Sequence, residues 1–180
     1  MADRIERFDS SQSAQVVELF TQVFTHAEGA SEGALIGKLV SDLIRTTPTD
    51  QLKGFVVQSQ QTLVGSIFFT ELTVEPKASA YILSPVAIST AEQGKGLGQK
   101  LINNGLLYLQ ERGVDFAFTY GDPSFYAKVG FQQIDEKQIA APLSLSHPEG
   151  WLAQSLGRQT LESLSAVRQC VPALCDQKYW

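Results

Sequence analysis

The spacing of apolar residues changes character at Pro48, and that change restricts the chain to folds that combine helices with a sheet. Before it, Val16, Leu19, Phe20, Val23 and Phe24 recur three and four apart, and Leu35, Ile36, Leu39, Val40, Leu43 and Ile44 repeat the pattern. Both stretches predict amphipathic helices, the second stopped by Pro48 because the residue before a proline is pushed out of helical backbone. His26, Glu28 and Glu32 fall between them, in an expected loop containing Gly29 and Gly33. A short strand with Ile5 and Phe8 precedes the helices, with Asp9, Ser10 and Ser11 as candidate caps.

Beyond Pro48 the period shortens. Leu52 to Gln58 and Leu63 to Val74 are rich in Val, Ile, Phe and Thr, with polar Gln60-Gln61-Thr62 between them. That pattern predicts an antiparallel hairpin. Glu75-Pro76-Lys77 makes a turn, and Ala80 to Ile88 reads as a third strand. Pro85 is expected to interrupt it, because proline has no N–H for a ladder hydrogen bond. Leu97, Leu101, Ile102, Leu106 and Leu109 then form a helical stripe ending near Gly113, and Val114 to Tyr120 alternates as a strand. Asp122 followed by Pro123 is an N-cap with a first-turn proline, opening a short helix through Val129. Gly130 closes that helix and Phe131 begins another strand. After Lys137 the signal weakens, and Leu161, Leu164 and Val167 fit helix or strand equally.

Composition narrows the function. The 180 residues suit one domain, and 43% hydrophobic against 18% charged residues supplies a packed core. The formal net charge of −5 argues against a nucleic-acid binder that works through bulk positive charge. No apolar run is long enough for a membrane span, and the first residues do not resemble a signal peptide. Cys170 and Cys175, with His26 and His147, match no common zinc spacing, so reduced thiols in a cytoplasmic protein without a metal are expected.

Between the third strand and the next helix lies Gln93-Gly94-Lys95-Gly96-Leu97-Gly98. Glycines there let the main chain approach an anion, and the helix that follows adds its dipole. A P-loop needs Ser or Thr after the lysine, but Gly96 follows Lys95. The dinucleotide fingerprint requires a different glycine spacing and parallel β-α-β winding, whereas the preceding strands read as hairpins. A third pattern, Gln/Arg-x-x-Gly-x-Gly/Ala, is filled by Gln93, Gly96 and Gly98.

With that loop, Leu83-Ser84-Pro85-Val86-Ala87-Ile88 before it and Gly121-Asp122-Pro123-Ser124-Phe125-Tyr126-Ala127-Lys128-Val129-Gly130-Phe131 after it, the chain resembles the GNAT superfamily of N-acetyltransferases. It is most similar to the bacterial branch with Gly-Asp-Pro before a double aromatic. The resemblance covers Ile5 to Phe131. It implies a single α/β (α+β) domain over residues 1–180, with a mixed, mostly antiparallel sheet flanked by helices and splayed fourth and fifth strands. Residues 138–180 would add C-terminal strands or a helix on the acceptor side.

The resemblance also implies acetyl-CoA as cosubstrate and a small-molecule or peptide amine as acceptor, with homodimerisation open. Main-chain groups of Val86, Ala87 and Ile88 would bind the pantetheine arm, and one N–H would polarise the thioester carbonyl. Gln93, Gly94, Lys95, Gly96, Leu97 and Gly98 would bind the pyrophosphate. Tyr126 would donate a hydrogen bond to the departing sulfur. Two departures stand out. Ile82 occupies the place of the glutamate base of histone-type relatives, and Thr119 stands where many relatives bind pantetheine through Asn. Glu71 is a candidate base, with His26, Glu28 and Glu32 as alternatives near the acceptor, and Asp122 or Ser124 are candidates for the missing asparagine contact. Two further readings are carried: a non-catalytic acyl-CoA-binding module, and a peptide-binding scaffold with a vestigial loop.

Overall fold

The computed structural model describes residues 3–180. In chain order the elements are β1 (Arg4–Arg7), α1 (Ser13–Glu28), α2 (Ala30–Thr46), β2 (Leu52–Ser59), β3 (Thr62–Glu75) and β4 (Ser79–Ile88). Then follow α3 (Leu97–Glu111), β5 (Phe116–Tyr120), α4 (Pro123–Ala127), β6 (Gln132–Gln133), β7 (Trp151–Ser155) and β8 (Ala166–Gln169). The eight strands are hydrogen-bonded in the order β1-β2-β3-β4-β5-β7-β6, with β8 on β3. Helices accompany a mixed sheet, as the sequence predicts. The residues fall into two compact units: the chain up to Phe69 with Pro85–Gly105, and Thr70–Ser84 with Leu106–Trp180.

In the first unit, Asp9 caps the 3-10 turn Ser10–Gln12, accepting from Ser11 N at 2.9 Å while Asp9 N donates to Gln12 Oε1 at 2.9 Å. β1 and β2 pair antiparallel from Arg4↔Gln58 to Arg7↔Phe55. The apolar stripes of α1 and α2 bury Val16, Leu19, Phe20 and Val40 against Val56, Phe68 and Ala87 of the strands. Phe8 and Phe20 hold the Phe68 ring at centroid distances of 5.2 and 6.2 Å. Gln60 and Gln61 carry φ of 49° and 66°, so the β2–β3 turn is built from two left-handed residues that are not glycine.

The expected loop between the two long helices shrinks to one residue. α1 runs to Glu28 and α2 starts at Ala30, with Gly29 at φ 100° as the joint. His26 and Glu28 therefore belong to the last turn of α1, and Glu32 to the first turn of α2. Gly33 is inside α2 because the helices touch there. A Cβ on it would lie 1.8 Å from Thr25 Oγ1 and 2.6 Å from the Thr21 carbonyl oxygen, and one on Gly37 would lie 2.2 Å from Thr21 Oγ1. Side chains can turn away but the Thr21 carbonyl cannot, so Gly33→Ala should lower stability by about 1–3 kcal/mol through overpacking. Thermal unfolding checks this, with an expected fall in Tm of roughly 3–10 °C.

In the second unit, β4 and β5 pair parallel from Ala80↔Phe116 to Leu83↔Thr119. Parallel neighbours need a crossover, which α3 supplies. β4 continues unbroken to Ile88, so Pro85 does not interrupt the strand; the β4–β5 ladder is what stops, two residues earlier. β7 lies between β5 and β6, antiparallel to both. Trp151 on β7 is fully buried, stacks on Phe118 at 5.2 Å and donates its Nε1–H to Ile139 O at 2.9 Å. α4 ends at Ala127 rather than Val129, and its end is closed by Gly130 at φ 93°. The C-terminal segment contributes strands and 3-10 turns but no α-helix: Leu161–Ser163 is a 3-10 turn and Val167 lies in β8.

Candidate active site

The stretch that the sequence marks for an anion closes in the first unit. Ser89 N donates to Val64 O at 2.7 Å, which turns the main-chain groups of Ser89 toward β3. Alternation along a strand then turns those of Val86 and Ile88 to the opposite edge and those of Ala87 back toward β3. Of the three residues expected to offer main-chain groups, Val86 and Ile88 turn theirs away from β3, whereas Ala87, 3% exposed, turns its own toward β3. The Ile88 carbonyl also accepts a hydrogen bond from Gln93 Nε2 at 2.9 Å. The Gln93 side chain thus ties the start of the loop to the end of β4, a role no spacing announces.

Gly94 and Gly96 have φ of 78° and 77°. A Cβ on either would meet nothing within 4 Å. Glycine is required here by backbone conformation, while the space beside it is open, which is the geometry an approaching anion needs. Gly96 O accepts from Lys100 N at 3.2 Å as α3 begins, and Gly98 sits in the first turn of that helix. First-turn amides have no intrahelical acceptor, so Leu97 and Gly98 add donors and the positive end of the dipole. Lys95 Nζ lies 3.0 Å from Glu92 Oε2, which neutralises a carboxylate beside the loop but engages the lysine charge.

The second unit holds Tyr126. Asp122 caps α4, accepting from Ser124 N at 2.9 Å and from Ser124 Oγ at 2.8 Å. The Ser124 hydroxyl foremost, then its backbone N–H, holds the Asp122 carboxyl below the usual carboxylate range. With its proton given to Asp122, Ser124 has only lone pairs left to offer a ligand. Tyr126 is buried, edge-on to Phe125 at 5.1 Å and to Phe131 at 5.7 Å. Gly121 makes room for it, since a Cβ there would come within 2.8 Å of Tyr126 Cε2. Burial pushes the Tyr126 phenol pKa up to about 12, with the Thr119 hydroxyl opposing the shift. Thr119 is 1% exposed and donates Oγ1–H to Leu83 O at 3.0 Å, at the last pair of the β4–β5 ladder.

The other candidates are scattered. Glu71 is exposed on β3. His26 and Glu28 are exposed, and Glu32 is half-buried where a carboxylate favours the start of α2. Ile82 is buried, which leaves no base at that position. Cys170 and Cys175 are free thiols with their sulfurs 3.8 Å apart. Among the described residues no group of three or more His, Cys, Asp or Glu is placed to hold a metal ion, and no helix is long and apolar enough to cross a membrane.

A mixed sheet with a parallel β4-α3-β5 crossover and a glycine loop before α3 is the arrangement expected of the acyltransferase family that the motifs resemble. The chain belongs to the GNAT family of acetyltransferases, whose family model matches residues 14–131. It is 26% identical over 170 residues to the uncharacterized N-acetyltransferase YjhQ of Escherichia coli K12, covering 91% of this chain and 90% of that protein. Its fold matches the crystal structure of the GNAT family N-acetyltransferase YhbS from Escherichia coli in complex with CoA. The TM-score is 0.78 at 21% identity, over 91% of this chain and 87% of that one. A GNAT family acetyltransferase from Brucella melitensis in complex with acetyl-CoA matches with a TM-score of 0.70 at 20% identity, over 88% and 91% of the chains.

Proposed function

We propose that residues 1–180 act as one N-acetyltransferase domain that moves an acetyl group from acetyl-CoA to a primary amine by direct attack. The observation that carries this reading is the open space beside left-handed Gly94 and Gly96 at the start of α3. It suits a pyrophosphate held by main-chain N–H groups of Gly94 to Gly98, with Gln93 bracing the loop on Ile88. Family membership supplies the chemistry that such a loop serves.

In this reading the pantetheine arm lies along the main-chain groups of Val86 and Ile88, in the manner of an added strand. A main-chain N–H of that strand polarises the thioester carbonyl and steadies the oxyanion as the amine attacks. Tyr126 stays protonated and donates to the sulfur as coenzyme A leaves, which lowers the barrier without full proton transfer. Glu71, exposed and reachable through water, takes the proton that the amine must lose.

The experiment is thiol release from acetyl-CoA with a panel of polyamines, an aminoglycoside, amino acids and a lysine peptide. At least one acceptor should give sustained turnover. Tight binding of acetyl-CoA with no acceptor-dependent release would instead make the protein a binding module.

A further inference from the structure

We propose that Cys170 and Cys175 form a modification site at which a small disulfide oxidises the pair to one intramolecular bond, with Cys175 as the attacking thiol. These are the two cysteines of the chain, and their sulfurs lie 3.8 Å apart, the Cys170 thiol donating to the Cys175 sulfur. The turn between them is firmly built. Val171 and Leu174 are buried, and Pro172–Leu174 is a 3-10 turn. Leu174 N donates to Val171 O at 2.9 Å, and Cys175 N donates to Pro172 O at 3.1 Å. Pro172 fixes its own φ, so the two ends of the turn are held together before any bond forms. A disulfide needs the sulfurs about 1.8 Å closer, an approach that side-chain rotation supplies.

The surroundings divide the roles. Cys175 is exposed and meets a small disulfide from solvent, whereas Cys170 is half-buried. Burial first, then the charge of Cys175 beside it, pushes the Cys170 thiol up to about 12, so Cys170 keeps its proton while Cys175 reacts. The Cys175 thiolate attacks one sulfur of the small disulfide, whose S–S bond breaks as one small thiolate leaves. With Cys175 capped, its charge no longer opposes ionisation of Cys170. Cys170 then gives its proton to water, attacks the Cys175 sulfur and expels the second small thiolate. The pair loses two electrons and two protons, and the small disulfide is reduced to two thiols. The new bond staples the turn whose Leu174 carbonyl accepts from Trp180 Nε1–H at 2.8 Å. Trp180 is buried, stacked on Tyr120 of β5 at 6.0 Å and edge-on to Trp151 of β7 at 6.1 Å. The staple therefore steadies the packing of residues 170–180 on those strands.

The test is intact-mass spectrometry and thiol titration of the folded protein after incubation with oxidised glutathione. The wild-type chain should lose two hydrogens and both titratable thiols, give no cross-linked dimer on a non-reducing gel, and regain both thiols with excess dithiothreitol. Cys170→Ser should keep one glutathione on Cys175, and Cys175→Ser should react at least about 10-fold more slowly. Oxidation of the wild-type chain should raise Tm by roughly 3–8 °C, because the closed turn has fewer unfolded conformations. Stable glutathione adducts on both wild-type cysteines, a disulfide between two chains, or reaction only in denaturant overturns the site. Cys175→Ser reacting as fast as Cys170→Ser overturns Cys175 as the attacking thiol, and an unchanged Tm overturns the staple. The wild-type arm stands by itself should either serine variant fail to fold.

Discussion

Gly96→Val should abolish tight acetyl-CoA binding while leaving the protein folded. The wild-type backbone holds φ at 77°, where a β-branched side chain is a strong outlier. The chain escapes by turning the Gly96 peptide, which redirects N–H groups away from the anion. Hydrogen bonds to a charged partner contribute about 1.5–3 kcal/mol each, so two lost contacts weaken binding by roughly 100-fold or more. Stability should fall by no more than about 2 kcal/mol, since the loop is exposed and the new side chain meets no neighbour. Gly113 supplies the control: it shares the φ of 77° and the open surroundings but follows α3 rather than preceding it. Gly113→Val should cost similar stability and leave affinity unchanged. Calorimetry on both variants checks the pair, and unchanged affinity in folded Gly96→Val would remove the phosphate role of the loop.

The second large effect concerns Tyr126→Phe. The ring contacts with Phe125 and Phe131 survive, so only the buried hydroxyl is lost. Stability should change by less than about 1 kcal/mol, because the packing of the ring is kept. If the phenol bonds sulfur mainly in the transition state, kcat falls roughly 10- to 1,000-fold while acetyl-CoA affinity holds. Burial holds the phenol at about 12, two units above its ordinary 10. The sign follows: the protonated, donating form persists as pH rises, so the wild-type kcat profile should carry no alkaline limb from Tyr126 below about pH 11. A limb near pH 10 that vanishes in the phenylalanine variant would mean the phenol is more exposed to water than its burial allows.

Local chemistry made much of this protein legible. The apolar spacing from Val16 to Ile44 marks α1 and α2, and the Asp122-Pro123 pair marks the start of α4, because caps and stripes act within one turn. The glycine loop is readable for the same reason, since the need for left-handed backbone is written in single residues. What depends on distant partners is not. Gly33 looks like a loop residue until Thr21 and Thr25 of α1 are seen against it. The place of β7 between β5 and β6 is set by pairing across about thirty residues, and nothing near Trp151 announces it. Thr119 reads as a missing asparagine, and only the fold brings the Leu83 carbonyl to its hydroxyl. Gln93 likewise fits a motif position, while its amide serves Ile88.

Direct transfer in a ternary complex is tested most directly by rapid quench with enzyme in excess over acetyl-CoA, following coenzyme A, the acetylated amine and the mass of the intact protein together. Both products should appear at one rate, neither should form without the amine, and the protein mass should never change. A burst of coenzyme A without amine, accompanied by an acetylated protein, would contradict direct transfer.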